Sequence, residues 1–161
     1  MDITYLATSE GWLYLAIVLD LYSRMVVGWS IDKRMTKELA IGALENAIKR
    51  RKPAPGLICH SDRGSQYCSH DYQDLLQKHG FLCSMSRKGE CQGNACAETF
   101  FYSLKVEWIY GEPLKSRCQM KYEVREYIEV FYNRQRLHSN NGYLSPCNFE
   151  RVNQSSFLLS A

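Results

Sequence analysis

No stretch of this chain approaches the roughly 18 consecutive apolar residues that a membrane-spanning helix needs, so a membrane class is excluded at the outset. No basic segment followed by an apolar run opens the sequence at Met1-Asp2-Ile3-Thr4, which argues against a secretion signal. The seven cysteines are odd in number and contain no C-x-x-C pair. A disulfide framework favours an even count, and a tetrahedral zinc site draws on closely spaced Cys and His pairs. The nearest candidate, Cys91 with Cys96, has no second pair to match it. Reduced thiols in a cytoplasmic, DNA-associated protein are the expectation. No glycine-rich phosphate loop follows a strand and no Ser-His-Asp or Cys-His arrangement stands out, so covalent nucleophilic catalysis has no visible machinery. Internal repeats and low-complexity linkers are also missing.

What is present suits one globular domain. The chain has 161 residues, 45% hydrophobic and 23% charged, enough to bury a core without metal or disulfide support. Its net charge of +3 is too small to mark a nucleic-acid binder by itself. The distribution says more: Lys49-Arg50-Arg51-Lys52, Arg87-Lys88, and Arg134 with Arg136 form three basic groups. Taken singly each reads as a solvated face or helix end. Together, beside a set of acids, they suit an enzyme that holds polyanionic DNA while binding metal.

Apolar periodicity predicts the elements. Ile3–Leu6, Trp12–Leu19 and Met25–Ile31 read as an antiparallel meander, with Asp20-Leu21-Tyr22-Ser23-Arg24 as a tight reversal. Thr36 is placed to cap a helix reaching about Arg50, with Ala40, Leu44, Ala47 and Ile48 on one face. Leu57-Ile58-Cys59 is a short buried strand that delivers His60-Ser61-Asp62 at its end. A helix capped by Ser69 follows, with Tyr72, Leu75, Leu76 and His79 at helical spacing, and Phe81–Met85 is a fifth strand. Ser86–Gly93 reads as a polar loop. Helices are predicted over about Asn94–Trp108 and Lys121–Gln135, and the tail from Ser139 reads as irregular. The order β-β-β-α-β-α-β-α-α implies an α/β fold with a mixed five-stranded sheet and helices on its faces.

Three acids stand where such a sheet would gather them. Asp2 opens the first strand, Asp62 follows the fourth, and Glu98 lies early in a helix able to cross that edge. Neighbouring carboxylates repel and cannot all ionise without a cation. Magnesium, a hard ion that keeps several waters, relieves the repulsion, and a pair of ions roughly 3.5–4 Å apart suits phosphodiester displacement. Each acid also has a plain alternative: a frayed terminal residue, a turn aspartate, and a solvated helix glutamate. Asn94 and Lys105 fall on the helical stripe of Glu98, an amide and an amine that can face metal and phosphate. His60 alternates with Asp62 along the strand, yet a satisfied, partly buried histidine explains it equally, and His138 takes the same bland reading.

The motifs resemble one family. Asp2-Ile3-Thr4-Tyr5, Gly11-Trp12-Leu13-Tyr14-Leu15-Ala16 and Asp20-Leu21-Tyr22-Ser23-Arg24 look like the opening of bacterial insertion-sequence transposases of the retroviral-integrase type. His60-Ser61-Asp62-Arg63-Gly64-Ser65-Gln66-Tyr67 matches the second-aspartate motif, and Asn94-Ala95-Cys96-Ala97-Glu98 with Phe100-Phe101 and Leu104-Lys105 the glutamate motif. Tyr132-Asn133, Arg136, His138-Ser139, Gly142-Tyr143 and Ser145-Pro146 match the C-terminal signature. Residues 63 to 97 put 35 positions between Asp62 and Glu98, the spacing of the D,D(35)E pattern.

This resemblance covers nearly the whole chain and implies an RNase H-like core over about residues 1–110 with a helical extension over about 111–161. It implies two Mg²⁺ or Mn²⁺ ions on Asp2, Asp62 and Glu98, with water nicking DNA at the element's 3′ ends and the freed hydroxyl attacking target DNA. Lys105, Asn94, Arg87, Lys88 and Arg136 are the candidate DNA contacts, and the implied working form is a homo-oligomer on DNA. The sequence departs from the family in four respects. It lacks the usual upstream recognition region, its first strand opens at the aspartate, Glu90 and Gly93 replace a common asparagine and aspartate, and Asn141 replaces an apolar residue. A catalytically silent remnant that binds DNA or a full-length transposase is therefore the alternative, with a nuclease for RNA–DNA hybrid a third.

Overall fold

A computed structural model describes residues 1–86 and 94–159, with side chains as far as residue 153. Residues 87–93 and 160–161 lie outside the described residues. The loop read over Ser86–Gly93 therefore falls almost wholly outside them, with Arg87, Lys88, Glu90 and Gly93.

The meander forms as its alternation predicts. β1 (Asp2–Thr8), β2 (Gly11–Leu19) and β3 (Val26–Asp32) make an antiparallel sheet in which Asp2 pairs with Ile17 and Tyr14 with Asp32. The reversal between β2 and β3 is closed by backbone hydrogen bonds from Asp20 N to Met25 O and from Arg24 N to Asp20 O, both 2.8 Å. The Asp20 carboxylate accepts from Tyr22 N at 2.8 Å, an aspartate turn that ends with Arg24 in the left-handed region (φ 63°).

Successive side chains of β2 leave on opposite faces. Ala16 and Val18 meet α1 (Lys37–Arg51) through Leu39 and Ala43. Gly28 allows α1 to lie directly on β3: a Cβ there would stand 2.3 Å from Ala43 O and 2.5 Å from Ala47 N. Thr36 occupies the cap position without a side-chain capping bond. Leu13, Leu15 and Ile17 face the other way, onto α3 (Ala95–Leu104) and α4 (Arg117–Glu126). Phe100, Leu104, Val124, Tyr127 and Ile128 cover them. Each such side chain, fully buried, stabilises the fold by about 1.5–3 kcal/mol. Helices thus cover both faces of the sheet.

β4 (Ile58–Ser61), α2 (His70–Lys78) and β5 (Leu82–Met85) form a parallel pair with its crossover helix. The Ser69 hydroxyl donates to Gln66 O instead of capping α2. The five strands fall into two ladders, β1-β2-β3 and β4-β5. They meet where the Met1 nitrogen donates to His60 O at 2.7 Å.

The C-terminal third is more ordered than its composition predicts. α3 widens into a π-type turn over Lys105–Ile109. α4 starts at Arg117, earlier than its apolar periodicity indicates, because Ser116 and Gln119 form a reciprocal capping box. A second wide turn, Tyr127–Tyr132, leads to Asn133, whose side chain accepts from Val26 N and donates to Val26 O, both at 3.0 Å. Asn141 Nδ2 donates to Ser23 O at 2.7 Å. The tail expected to be irregular instead contains a 3₁₀ turn, Ser139–Asn141, and α5 (Pro146–Leu159). Proline at the first helical position, after a serine whose hydroxyl accepts from Asn148 N at 3.4 Å, starts that helix.

Candidate metal and DNA site

The site is built at the junction of the two ladders. Met1 N donates to His60 O, which brings the start of β1, with Asp2, to the end of β4, where Asp62 follows. Asp2 is also the partner of Ile17, which places its side chain on the face that α3 covers. Glu98 lies in the first turn of α3.

Asp2 is half-buried, and its Oδ1 accepts from Ile3 N at 2.8 Å. Its carboxyl is pushed up to about 6: burial is the largest cause, the charges of Asp62 and Glu98 add to it, and the Ile3 hydrogen bond opposes it. Asp62 is exposed at the end of β4, folded into a turn in which its Oδ1 accepts from Gly64 N at 2.9 Å. A Cβ on Gly64 would come within 3.0 Å of that oxygen, so glycine is what lets the carboxylate lie over the backbone. Glu98 is exposed.

The charges of Asp62 and Glu98 reach Asp2, yet among the described residues no group of three His, Cys, Asp or Glu side chains is gathered closely enough to hold a metal ion. Magnesium is commonly held by one or two carboxylates while waters and substrate phosphates complete its shell. Carboxylate oxygens such as those of Asp2, Asp62 and Glu98 are the hard donors that such an ion takes.

The other sequence-predicted residues sort differently. Lys105 begins the wide turn after α3, partly buried, its ammonium 5.0 Å from the centre of the Tyr5 ring, and burial lowers its pKa. Asn94 is buried at the start of α3 and makes no side-chain capping bond. Arg136 is half-buried, donates to both carboxylate oxygens of Glu107 (2.6–3.2 Å) and donates to Ser103 Oγ at 3.1 Å. This ties its guanidinium to the wide turn after α3. Arg87 and Lys88 lie outside the described residues.

In the first basic run Arg50 pairs with Glu129 at 2.7 Å and Arg51 with Glu150, which ties α1 to the C-terminal third. His60 is a satisfied histidine, with Ser84 Oγ and Ser86 Oγ at 2.9 and 3.0 Å from its ring nitrogens. His138 packs edge-on against Tyr132, and burial, then Arg136, lower its pKa to about 4.

One residue beside the acids escaped the sequence reading. Tyr67, 1% exposed, has a buried hydroxyl without a hydrogen-bond partner. Burial and the charges of Asp2 and Asp62 push that hydroxyl well above its ordinary range. Its place in the His60–Tyr67 motif was the available signal.

The mixed α/β sheet with helices on both faces is the RNase H-like architecture. The simian T-cell lymphotropic virus intasome in complex with PP2A regulatory subunit B56 gamma contains a chain that matches at TM-score 0.73 and 17% identity, covering 92% of this chain and 51% of that one. The HTLV-2 integrase catalytic core domain in complex with magnesium matches at TM-score 0.63 and 16% identity, covering 92% and 91%.

Two family models described as integrase core domain match residues 1–91 and 98–154, and the chain belongs to this family. Among its relatives, transposase InsF for insertion sequence IS3A of Escherichia coli (strain K12) is 57% identical over 152 residues, 94% of this chain and 53% of that protein. The insertion element IS600 uncharacterized 31 kDa protein of Shigella sonnei is 49% identical over 148 residues, 92% of this chain and 54% of that protein. The chain thus spans about half the length of the curated relatives it matches and falls with insertion-sequence transposases of the integrase type.

Proposed function

We propose that Asp2, Asp62 and Glu98 hold divalent magnesium or manganese and that the chain is the catalytic core of a DNA transposase, nicking element 3′ ends and joining them to target DNA. The observation that carries the reading is the junction at Met1 and His60, which joins the start of β1 to β4, together with the charges of Asp62 and Glu98 that reach Asp2. Membership of the integrase core family and the magnesium complex of the HTLV-2 core support it. Divalent metal, when bound, supplies Lewis acidity to the attacking and departing oxygens of phosphodiester displacement.

The residues' own contribution is position. Asp2 is held by its strand register and by Ile3 N, Asp62 by its turn onto Gly64, and Glu98 by the buried α3 face below it. Lys105, beside the Tyr5 ring, is placed to meet a phosphate, and Asn94, at the start of the helix that carries Glu98, is a second candidate DNA contact. No protein nucleophile is required, because aligning the reactants and balancing developing charge accelerate the displacement. DNA is the partner, and the working unit is an oligomer assembled on it.

The test is a nicking assay on terminal-repeat DNA of the encoding element with Mn²⁺, alongside a Mn²⁺ titration. Cleavage that disappears in Glu98→Gln, with metal binding lost in Asp62→Asn, is the expected result. Salt-sensitive DNA binding without cleavage would instead identify a silent remnant. Metal binding undiminished in Asp62→Asn would remove that residue from the site.

A further inference from the structure

β1 is the outer strand of its ladder. Along it, away from the acids, lies a cavity of about 260 Å³. Leu6 lines it from one face of the strand, Tyr5 and Ala7 from the other, and the segment from Tyr110 to Lys115 borders its far side. Two aromatic side chains stand open at this cavity. Tyr5 is 57% exposed and Trp12 51%, and their rings meet edge-on with centres 5.0 Å apart and planes at 82°. An edge-to-face pair engages one face of one ring, so flat aromatic surface remains free.

The cavity also has a cation to offer. Lys105 stands over the Tyr5 ring, and among the described residues it forms no ion pair. The other charges at the cavity are accounted for. Glu123 takes Lys115 at 3.2 Å and Trp108 Nε1 at 2.7 Å, and Glu112 is exposed to water. Among the described residues that line the cavity, Lys105 is therefore the cation left to a ligand. Tyr5 lies three residues past Asp2, about 10 Å along the strand, and Lys105 seven past Glu98, about 10 Å along the helix. Two separate elements thus set ring and ammonium roughly three nucleotides of DNA strand, at about 3.4 Å each, from the acids.

We infer that Tyr5 and Trp12 form a stacking platform for an unpaired base of a DNA strand, with Lys105 on the phosphate beside that base. Stacking on an aromatic ring accepts any base, because every base has a π-face, and a neighbouring cation adds to it. A base inside a duplex gives its faces to its neighbours, so the platform selects single-stranded or frayed DNA. An apolar protein segment could cover the same rings, but it would leave the Lys105 ammonium without an anion. The inference rests on the reading of this chain as a DNA-acting core and not on the metal roles of the three acids.

The test is binding of a thymidine oligonucleotide of about ten nucleotides, followed by fluorescence anisotropy at low salt in EDTA, with a blunt duplex of equal length as reference. Trp12→Leu keeps apolar bulk and removes the π-face, whereas Trp12→Phe keeps both. Trp12 is half-exposed, so both variants should melt with the parent. Trp12→Leu is expected to weaken single-strand binding about tenfold and Trp12→Phe about threefold or less, with duplex binding changed by less than about twofold in each. Lys105→Gln should lower the salt slope of log K by about 0.7, the share of one single-stranded phosphate. No binding of the oligonucleotide by the parent chain, equal losses on single strand and duplex, or Leu and Phe variants that bind alike would each overturn it. Self-association lost in Trp12→Leu while oligonucleotide binding is kept, read by sedimentation, would identify a protein interface instead. The assay contains no metal, so a chain that stacks the oligonucleotide yet fails to bind Mn²⁺ would refute the metal site and leave the platform standing.

Discussion

Replacing Asn133 with alanine should expose how strongly the C-terminal third holds the sheet. Asn133 is 3% exposed, and its amide both accepts from and donates to the backbone of Val26, itself fully buried, at 3.0 Å. Alanine leaves a buried N–H and a buried C=O without these partners, each costing about 1–3 kcal/mol. Some relaxation toward solvent offsets part of the sum, so about 3 kcal/mol is the working value. For a chain of this size each kcal/mol lowers Tm by about 2–4 °C, which gives a fall of about 6–12 °C. Asn133→Asp retains an acceptor for Val26 N but turns a carboxylate oxygen toward Val26 O, so it should be no more stable than the alanine variant. Calorimetry or melting followed by circular dichroism reads both. A change under about 2 °C for Asn133→Ala would mean that the side-chain pairing contributes almost nothing and that the clasp between β3 and the helices is not energetic.

Gly28→Ala should destabilise by about 3 kcal/mol or more, read in urea melts, because the added methyl lies against α1 backbone that cannot move alone. The raised pKa of Asp2, about 6, means that the metal-free folded state binds its proton more tightly than the unfolded chain does. Stability should therefore fall as pH rises from about 4 to 6, and Asp2→Asn should be the more stable protein above pH 6, by about 1–2 kcal/mol once partial solvent screening is allowed for. His138 runs the other way: with its pKa lowered to about 4, stability should be lost as pH falls from about 6.5 toward 4, and His138→Gln should flatten that limb of a Tm-against-pH profile.

The fold's alternating segments were legible because β2 and α1 carry their burial pattern in their own residues. Ala16 and Val18 against Leu13, Leu15 and Ile17 give two faces without any tertiary knowledge. The spacing of Asp62 and Glu98 was legible as a pattern, whereas the half-burial of Asp2 arises from the sheet junction and α3 and has no local signature. The ion pair of Arg136 had no local signal, because Glu107, its partner, lies 29 residues earlier on another element. α5 went unread although Ser145-Pro146 is a helix-start signal, since no strong apolar stripe follows it.

The sheet's two coverings arrive at very different times during synthesis. The meander is complete by Asp32, and α1, which shields one side, follows by Arg51. Leu13, Leu15 and Ile17 on the reverse side wait for Phe100, Leu104, Val124 and Ile128. A nascent chain therefore carries a bare hydrophobic wall while the residues between α1 and α4 are made, the state in which chaperone capture or premature self-association competes with folding.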